Sequence, residues 1–292
     1  MFNCLICRNS QYNSYLENLT SVYDRNNEYN IYKCTNCNLA QTYPRPNLEE
    51  VTSLYSNVYQ YDIHSIFSME KTIRAKKLTH QVFKNVYPKN VFEIGCGQGE
   101  FLSYLHSLGV YVEGVEPDLV SGLKANKHIG RNAVIHSIFE TMDKSRLKLF
   151  SYIVISHVLE HFVDPIQYLR QIYLNTDENV RLLIVVPNFQ KIPKGKFARY
   201  WGYLQVPIHI SHFTISSLDK LLLNSGFKIE TIRYRNADFM SIGLFILNIF
   251  NIKSQNVKIN GLKKNLLKTL AIFWTLFYRF GRQDLIVTVS KM

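Results

Sequence analysis

The sequence predicts an α/β fold built on a doubly wound parallel sheet, and three observations carry that expectation. The strand-like run Val91-Phe92-Glu93-Ile94 enters a turn with three glycines spaced two apart, Gly95, Gly97 and Gly99, and a helical pattern opens at Glu100. Strand-like and helix-like segments then alternate along the chain, as a parallel sheet with crossover helices requires. A chain of 292 residues is also long enough to bury a full core, with room for a small appendage.

The appendage comes first. Cys4-x-x-Cys7 and Cys34-x-x-Cys37 are two pairs separated by 26 residues. Four thiolates in two such knuckles suit one tetrahedral Zn²⁺ and leave no open coordination position, so the ion is expected to be structural. Residues 1–46 form this expected zinc module, and Glu28 to Lys33 reads as strand leading into the second knuckle. A tyrosine-rich connection, Leu54 to Asp62, and an amphipathic helix, Phe67 to Phe83, fill a linker over residues 47–86. The main domain, 87–292, then offers strands at Val91 to Ile94, Tyr111 to Val115, Ala133 to His136, Phe150 to Ser156 and Arg181 to Val186. A helix follows over Ser216 to Asn224, capped by Thr214 or Ser216. Two last strands, Lys228 to Arg235 and Leu285 to Ser290, flank an apolar, helix-like insertion over 239–282.

Charge narrows the choice of partners. Through Gln190 there are 18 basic and 18 acidic residues, whereas from Lys191 onward there are 16 basic and 4 acidic, so the whole net charge of +12 sits in the last third. A neutral core with a basic C-terminal third points to an anionic surface or substrate, or to a solvated basic face. The zinc segment is not enriched in Lys or Arg, which argues against nucleic acid. The start lacks an apolar signal region and no apolar run reaches the ~18 residues of a spanning helix, so a cytoplasmic protein is expected. The insertion 239–282, with Lys263, Lys264, Lys268, Arg279 and Arg282 around it, suits attachment to anionic lipid, a homodimer interface or a cap over the site.

The glycine turn separates two cofactors. A dinucleotide fingerprint reads G-x-G-x-x-G, but here the third glycine comes one residue early. Glu93, two residues before Gly95, would repel a pyrophosphate and attract a cationic amine. Glu116, at the end of the second strand, stands where a ribose would be hydrogen-bonded. E-x-G-x-G-x-G followed by a strand ending in Glu resembles motifs I and II of the class I S-adenosylmethionine (SAM) methyltransferases. The resemblance implies their Rossmann-like, seven-stranded doubly wound sheet. It assigns Glu93, Gly95, Gly97, Gly99 and Glu116 to SAM, with Ser156 and His157 at the pocket. Ile138 or Phe139 would sandwich adenine, the alternative for both being plain core. Cys34 to Pro46 resembles the N-terminal zinc segment of a methyltransferase subgroup, many of whose members modify sugars and surface polysaccharides. In that subgroup a tyrosine cluster, here Tyr55, Tyr59 and Tyr61, lids the cofactor; inter-domain packing is the other reading.

Candidates for the chemistry fall in two stretches. After the fourth strand comes Ser156-His157-Val158-Leu159-Glu160-His161. A helical turn there would put His157, Glu160 and His161 on one face at the pocket mouth, where an imidazole could take a proton from a substrate hydroxyl. The stretch resembles the "LEH" segment of ubiquinone-pathway O-methyltransferases, in which an acid, a glutamate and a histidine can hold a divalent metal. His157 in place of the first acid disfavours a hard ion such as Mg²⁺. The second stretch, Trp201 to Thr214, resembles the W…P-x-H-x-x-x-F-[ST] block of the zinc-segment subgroup. It implies His209 as general base and His212 as second candidate, with Tyr200, Trp201 and Tyr203 stacking on the acceptor. The expected activity is O-methylation of a sugar hydroxyl in a nucleotide- or lipid-linked glycan. Its rivals are O-methylation of a quinone or aromatic acceptor, C-methylation of a keto sugar, and SAM binding without turnover.

Overall fold

A computed structural model describes residues 2–20, 24, 27–58, 68–193, 195–236 and 282–292. The insertion 239–282, except Arg282, lies outside these residues. So do Tyr59, Tyr61 and the side chain of Tyr55, and with them the tyrosine lid.

The main sheet has seven strands. In chain order they are β4 (Asn90–Ile94), β5 (Tyr111–Glu116), β6 (Val134–His136), β7 (Tyr152–Ser156), β8 (Arg181–Pro187), β10 (Phe227–Arg235) and β11 (Asp284–Lys291). Their spatial order is β10-β11-β8-β7-β4-β5-β6, with β4 to β8 parallel and β11 antiparallel to both β8 and β10. This is the class I methyltransferase sheet that the motif resemblance implied, and its parallel part is what the alternation of segments predicted. The strands alternate faces with period two. Phe92, Ile153, Leu182 and Ile184 enter one core, and Val91, Val154, Leu183 and Val185 enter the other. Helices α2 (Ser68–Phe83) and α3 (Glu100–Ser107) close the second face through Ala75, Leu78, Leu102 and Leu105. Helices α5 (Pro165–Leu174) and α6 (Ile215–Asn224) close the first through Leu169, Ile172, Leu218 and Leu221. Helix α4 (Leu119–Ile129) starts at Asp118, whose side chain accepts from the Ser121 N–H.

Element ends move by a residue or two for local reasons. Phe150 caps a 3-10 turn over Lys144–Leu149, so β7 begins at Tyr152. Asn126 of α4 takes the N–H groups of Ala133 and Val134. Thr214 caps α6 in a reciprocal capping box with Ser217.

The N-terminal region is an antiparallel sheet in the order β1-β2-β3-β9, built from Tyr12–Thr20, Glu28–Cys34 and Ala40–Tyr43 with the two-residue strand Ser211–His212. The fourth strand therefore comes from the loop between β8 and α6. Phe2, Leu5, Ile6 and Leu39 share a continuous core with the main sheet, so residue 46 does not divide two separate cores. Helix α1 (Leu48–Val58) follows. Among the described residues no helix is long and apolar enough to cross a membrane.

Candidate active site and metal centre

The order of the main sheet reverses at β4, which has β5 on one side and β7 on the other. Ligands of such sheets bind outside the carboxyl ends of the strands at this point. The turn after β4 holds Gly95, Gly97 and Gly99 at φ of +68°, +55° and +75°. A Cβ on Gly95 would fall 2.5 Å from Val158 Cγ2, and one on Gly99 would fall 2.7 Å from Ala125 Cβ. A Cβ on Gly97 meets nothing within 4 Å. Two glycines thus serve packing, and the middle one faces open space.

Two carboxylates flank that space. Glu116 is buried at the end of β5 and accepts from the N–H groups of Gly97 (2.8 Å) and Asp118 (3.0 Å). Glu93 is also buried, and its Oε2 has no hydrogen-bond partner among the described residues. Burial first, then the charges of Glu100 and Glu116, pushes the Glu93 carboxyl well above its ordinary range. An ammonium group would relieve this crowding of acids, so the residues present fit an amino-acid ligand carrying a ribose. Phe139 is buried against Tyr168 and Phe162, whereas Ile138 is half-buried beside the pocket strands.

Beyond Ser156, at the end of β7, the chain does not turn helical at once. His157 takes a left-handed φ of +56°, and only Leu159–His161 forms a 3-10 turn. His157 and His161 therefore point to different partners. The Nε2 of His157 lies 3.3 Å from Nη2 of both Arg74 and Arg235, and its Nδ1 lies 3.5 Å from Glu160 Oε1. Its ring lies parallel to that of Tyr203, 6.0 Å away. Arg235 is held by Asp284 at 2.6 Å. Burial would raise Asp284, but Arg235, His157 and Arg74 outweigh it and hold the carboxyl below its usual range.

His161 Nδ1 donates to the Ile208 carbonyl (2.8 Å) and His209 Nδ1 donates to the Tyr203 carbonyl (2.7 Å). Since a carbonyl can only accept, each neutral ring carries its lone pair on Nε2. The two rings meet edge to face at 4.6 Å, and burial lowers the pKa of both. His212 lies beside His209, with ring centroids 6.4 Å apart, but hydrogen-bonds elsewhere. Its Nε2 is 3.0 Å from Thr42 Oγ1, and Thr42 in turn donates to the His209 carbonyl at 2.6 Å. That hydroxyl's proton is spent on the carbonyl, so it accepts from His212, which here links β3 to the site loop. Trp201 is buried and donates to Gln283 Oε1, whereas Tyr203 covers His157 and Tyr200 is half-buried. Sequence reasoning did not find Arg74, Arg235, Asp284 or Thr42. The only hint was an acid opening the apolar run after Asp284.

The four cysteines come together. Cys4 Sγ lies 3.4 Å from Cys37 Sγ, Cys7 Sγ lies 3.5 Å from Cys34 Sγ, and all four lie within 4.8 Å of one another. A tetrahedral zinc with bonds of about 2.3 Å holds its sulfurs about 3.8 Å apart, so the quartet fits that ion. The knuckles are built alike: Arg8 N bonds Cys4 O and Asn38 N bonds Cys34 O, both residues with positive φ. The Cys37 thiol pulls Cys4 down to about 5.

Comparison with known proteins follows from this geometry. No curated protein matches the chain. Among solved structures, the chain is similar to the Burkholderia thailandensis 1,6-didemethyltoxoflavin-N1-methyltransferase with bound 1,6-didemethyltoxoflavin and S-adenosylhomocysteine. That likeness has a TM-score of 0.54 at 14% identity and covers 90% of this chain and 96% of that one. It is also similar to coclaurine N-methyltransferase bound to N-methylheliamine and S-adenosylhomocysteine, with a TM-score of 0.50, 14% identity, and coverage of 75% and 72%. A match to the mitomycin 7-O-methyltransferase MmcR has a TM-score of 0.46 and 14% identity, covering 70% of this chain and 49% of that one, about half its length. At these identities the first two likenesses show the fold alone. The family model described as a methyltransferase domain matches residues 69–232, more than half of the chain, and the chain therefore belongs to the methyltransferase-domain family.

Proposed function

We propose that this protein transfers a methyl group from SAM to a hydroxyl of a sugar in a nucleotide- or lipid-linked glycan. The observation that carries the SAM half is the open face of Gly97 between buried Glu93 and buried Glu116. Glu93 would hold the amine of the cofactor and Glu116 its ribose hydroxyls. The cofactor supplies an activated methyl on a sulfonium, so the protein's task is alignment and removal of the acceptor proton. The neutral imidazoles of His161 and His209 beside Glu160 would take that proton, with His209 as the expected base. The sugar half rests on the resemblance of the zinc segment and of the Trp201 to Thr214 block. Tyr203 and the basic excess after Lys191, which suits a phosphate-bearing acceptor, support it.

The test is incubation of the full chain with radiolabelled SAM and cell extract divided into sugar-nucleotide, lipid-linked, quinone and macromolecular fractions. Label in the first or second fraction is expected. Label confined to the quinone fraction overturns the sugar acceptor, and no transfer to any fraction overturns the enzymatic reading.

A further inference from the structure

Glu160 is 1% exposed, yet neither of its carboxylate oxygens has a hydrogen-bond partner among the described residues. A buried carboxylate left so is strongly unfavourable. The groups nearest it do not repair this. His209 Nε2, 4.0 Å from Glu160 Oε1, is a lone-pair nitrogen because its Nδ1 donates to Tyr203. His161 is fixed in the same tautomer by Ile208. His157 Nδ1 stands off at 3.5 Å. One ligand atom from each of Glu160, His161 and His209 lies within 4.8 Å of the others. Three electron-pair donors converge, and each imidazole is oriented by a backbone carbonyl as metal-ligating histidines are.

We propose that Glu160, His161 and His209 form a second metal site, for a borderline divalent transition ion such as Zn²⁺, Mn²⁺ or Fe²⁺. Two imidazoles and one carboxylate select this class over Mg²⁺ and over thiophilic ions. An ion with bonds of about 2.0–2.1 Å holds its ligand atoms about 3.3–3.4 Å apart, so the 4.0 Å between His209 and Glu160 and the separations of up to 4.8 Å within the trio need to close by roughly 0.6–1.5 Å. Arg74 and Arg235 face the other nitrogen of His157, and Arg235 is paired with Asp284. Three protein ligands leave a position for water or an acceptor oxygen. A coordinated hydroxyl loses its proton more easily; since the single lone pair of His209 cannot both bind the ion and take a proton, the bound ion would replace His209 in activating the acceptor. The site deepens the acceptor half of the proposed function and rests on it only for that consequence.

The experiment uses the full chain with its zinc in place, dialysed against Co²⁺ and counted for metal per chain. A second equivalent is expected, with a visible spectrum lacking the thiolate-to-cobalt charge-transfer band. Glu160→Gln and His209→Ala should lose it while keeping the cysteine-bound zinc, which reports folding. The loss of affinity should exceed the roughly 10–100-fold that follows from removing a mere supporting partner. No second equivalent in the unaltered chain, or one that survives both substitutions, overturns the site. SAM affinity measured on the same samples by calorimetry keeps the two readings apart: a missing second metal with SAM bound sinks only this inference.

Discussion

Each glycine of the β4–α3 turn has positive φ, but a methyl group added to each meets different surroundings. At Gly95 it meets Val158 and at Gly99 it meets Ala125, so Ala at either position strains the fold itself. At Gly97 it meets open space, and Gly97→Ala should cost only about 1–2 kcal/mol in the left-handed conformation. Its expected result is a folded protein with little SAM binding in calorimetry, whereas Gly95→Ala should lose stability first. His209→Ala is the matching test on the acceptor side. It should lower methyl transfer by about 10²–10⁴-fold and leave SAM affinity unchanged; a fall in SAM affinity alone would remove His209 from the chemistry. His157 shows how a single torsion defeats a spacing argument. The i, i+3, i+4 pattern with Glu160 and His161 was legible, but φ of +56° at His157 sends its ring toward Arg74 and Arg235.

At the scale of elements, the pairing of β3 with β9 turns Thr42 into a link between the sheet that carries the cysteines and the loop proposed to hold the acceptor. Thr42→Val would leave the His212 N–H and the His209 carbonyl without that hydroxyl, and losing a buried partner costs about 1–3 kcal/mol for each group. Denaturant unfolding should show the loss, and acceptor KM should rise while SAM affinity holds. His212 also gives stability a pH dependence. Burial lowers its pKa from 6.5 to about 3. Below pH 6.5 the unfolded chain binds a proton that the folded chain refuses, so stability falls as pH falls, by up to about 1.4 kcal/mol per pH unit from this group. The slope between about pH 6 and pH 4 should flatten in His212→Gln; an unchanged slope would show that His212 is protonated in the fold.

The strands of the main sheet were readable because their signal is local. Leu182 to Val186 is a continuous apolar run fit for a strand covered on both faces, and it became β8. The two-residue β9 offers no such run, and its partner Ala40–Gln41 lies far away in sequence. Arg74, Arg235 and Asp284 meet His157 from three elements, and nothing in the periodicity of any one of them announces the others. The cysteine pairs were legible by spacing alone, and their convergence agrees with that spacing.

For the whole molecule, the four-cysteine module packs against the loop proposed to hold the acceptor. Its core runs into that of the main sheet through Leu5, Ile6 and Leu39, and its third strand carries Gln41 and Thr42 toward residues 209–212. Removal of zinc by a strong chelator, or Cys34→Ser, should release about one metal equivalent and unfold the first sheet. Methyl transfer should drop with it while SAM affinity changes little, because the glycine turn is held by β4, β5 and α4. A chelated protein with full turnover would show that the ion has no hold on the acceptor loop.

The link between Thr42 and His212 spans 170 residues, and this bears on how the protein is made. The first three strands leave the ribosome long before the fourth exists. At elongation speeds of about 5–20 residues per second, the interval is on the order of ten to thirty seconds. Throughout it, the nascent chain presents the bare edge of β3, a template for pairing with the wrong neighbour.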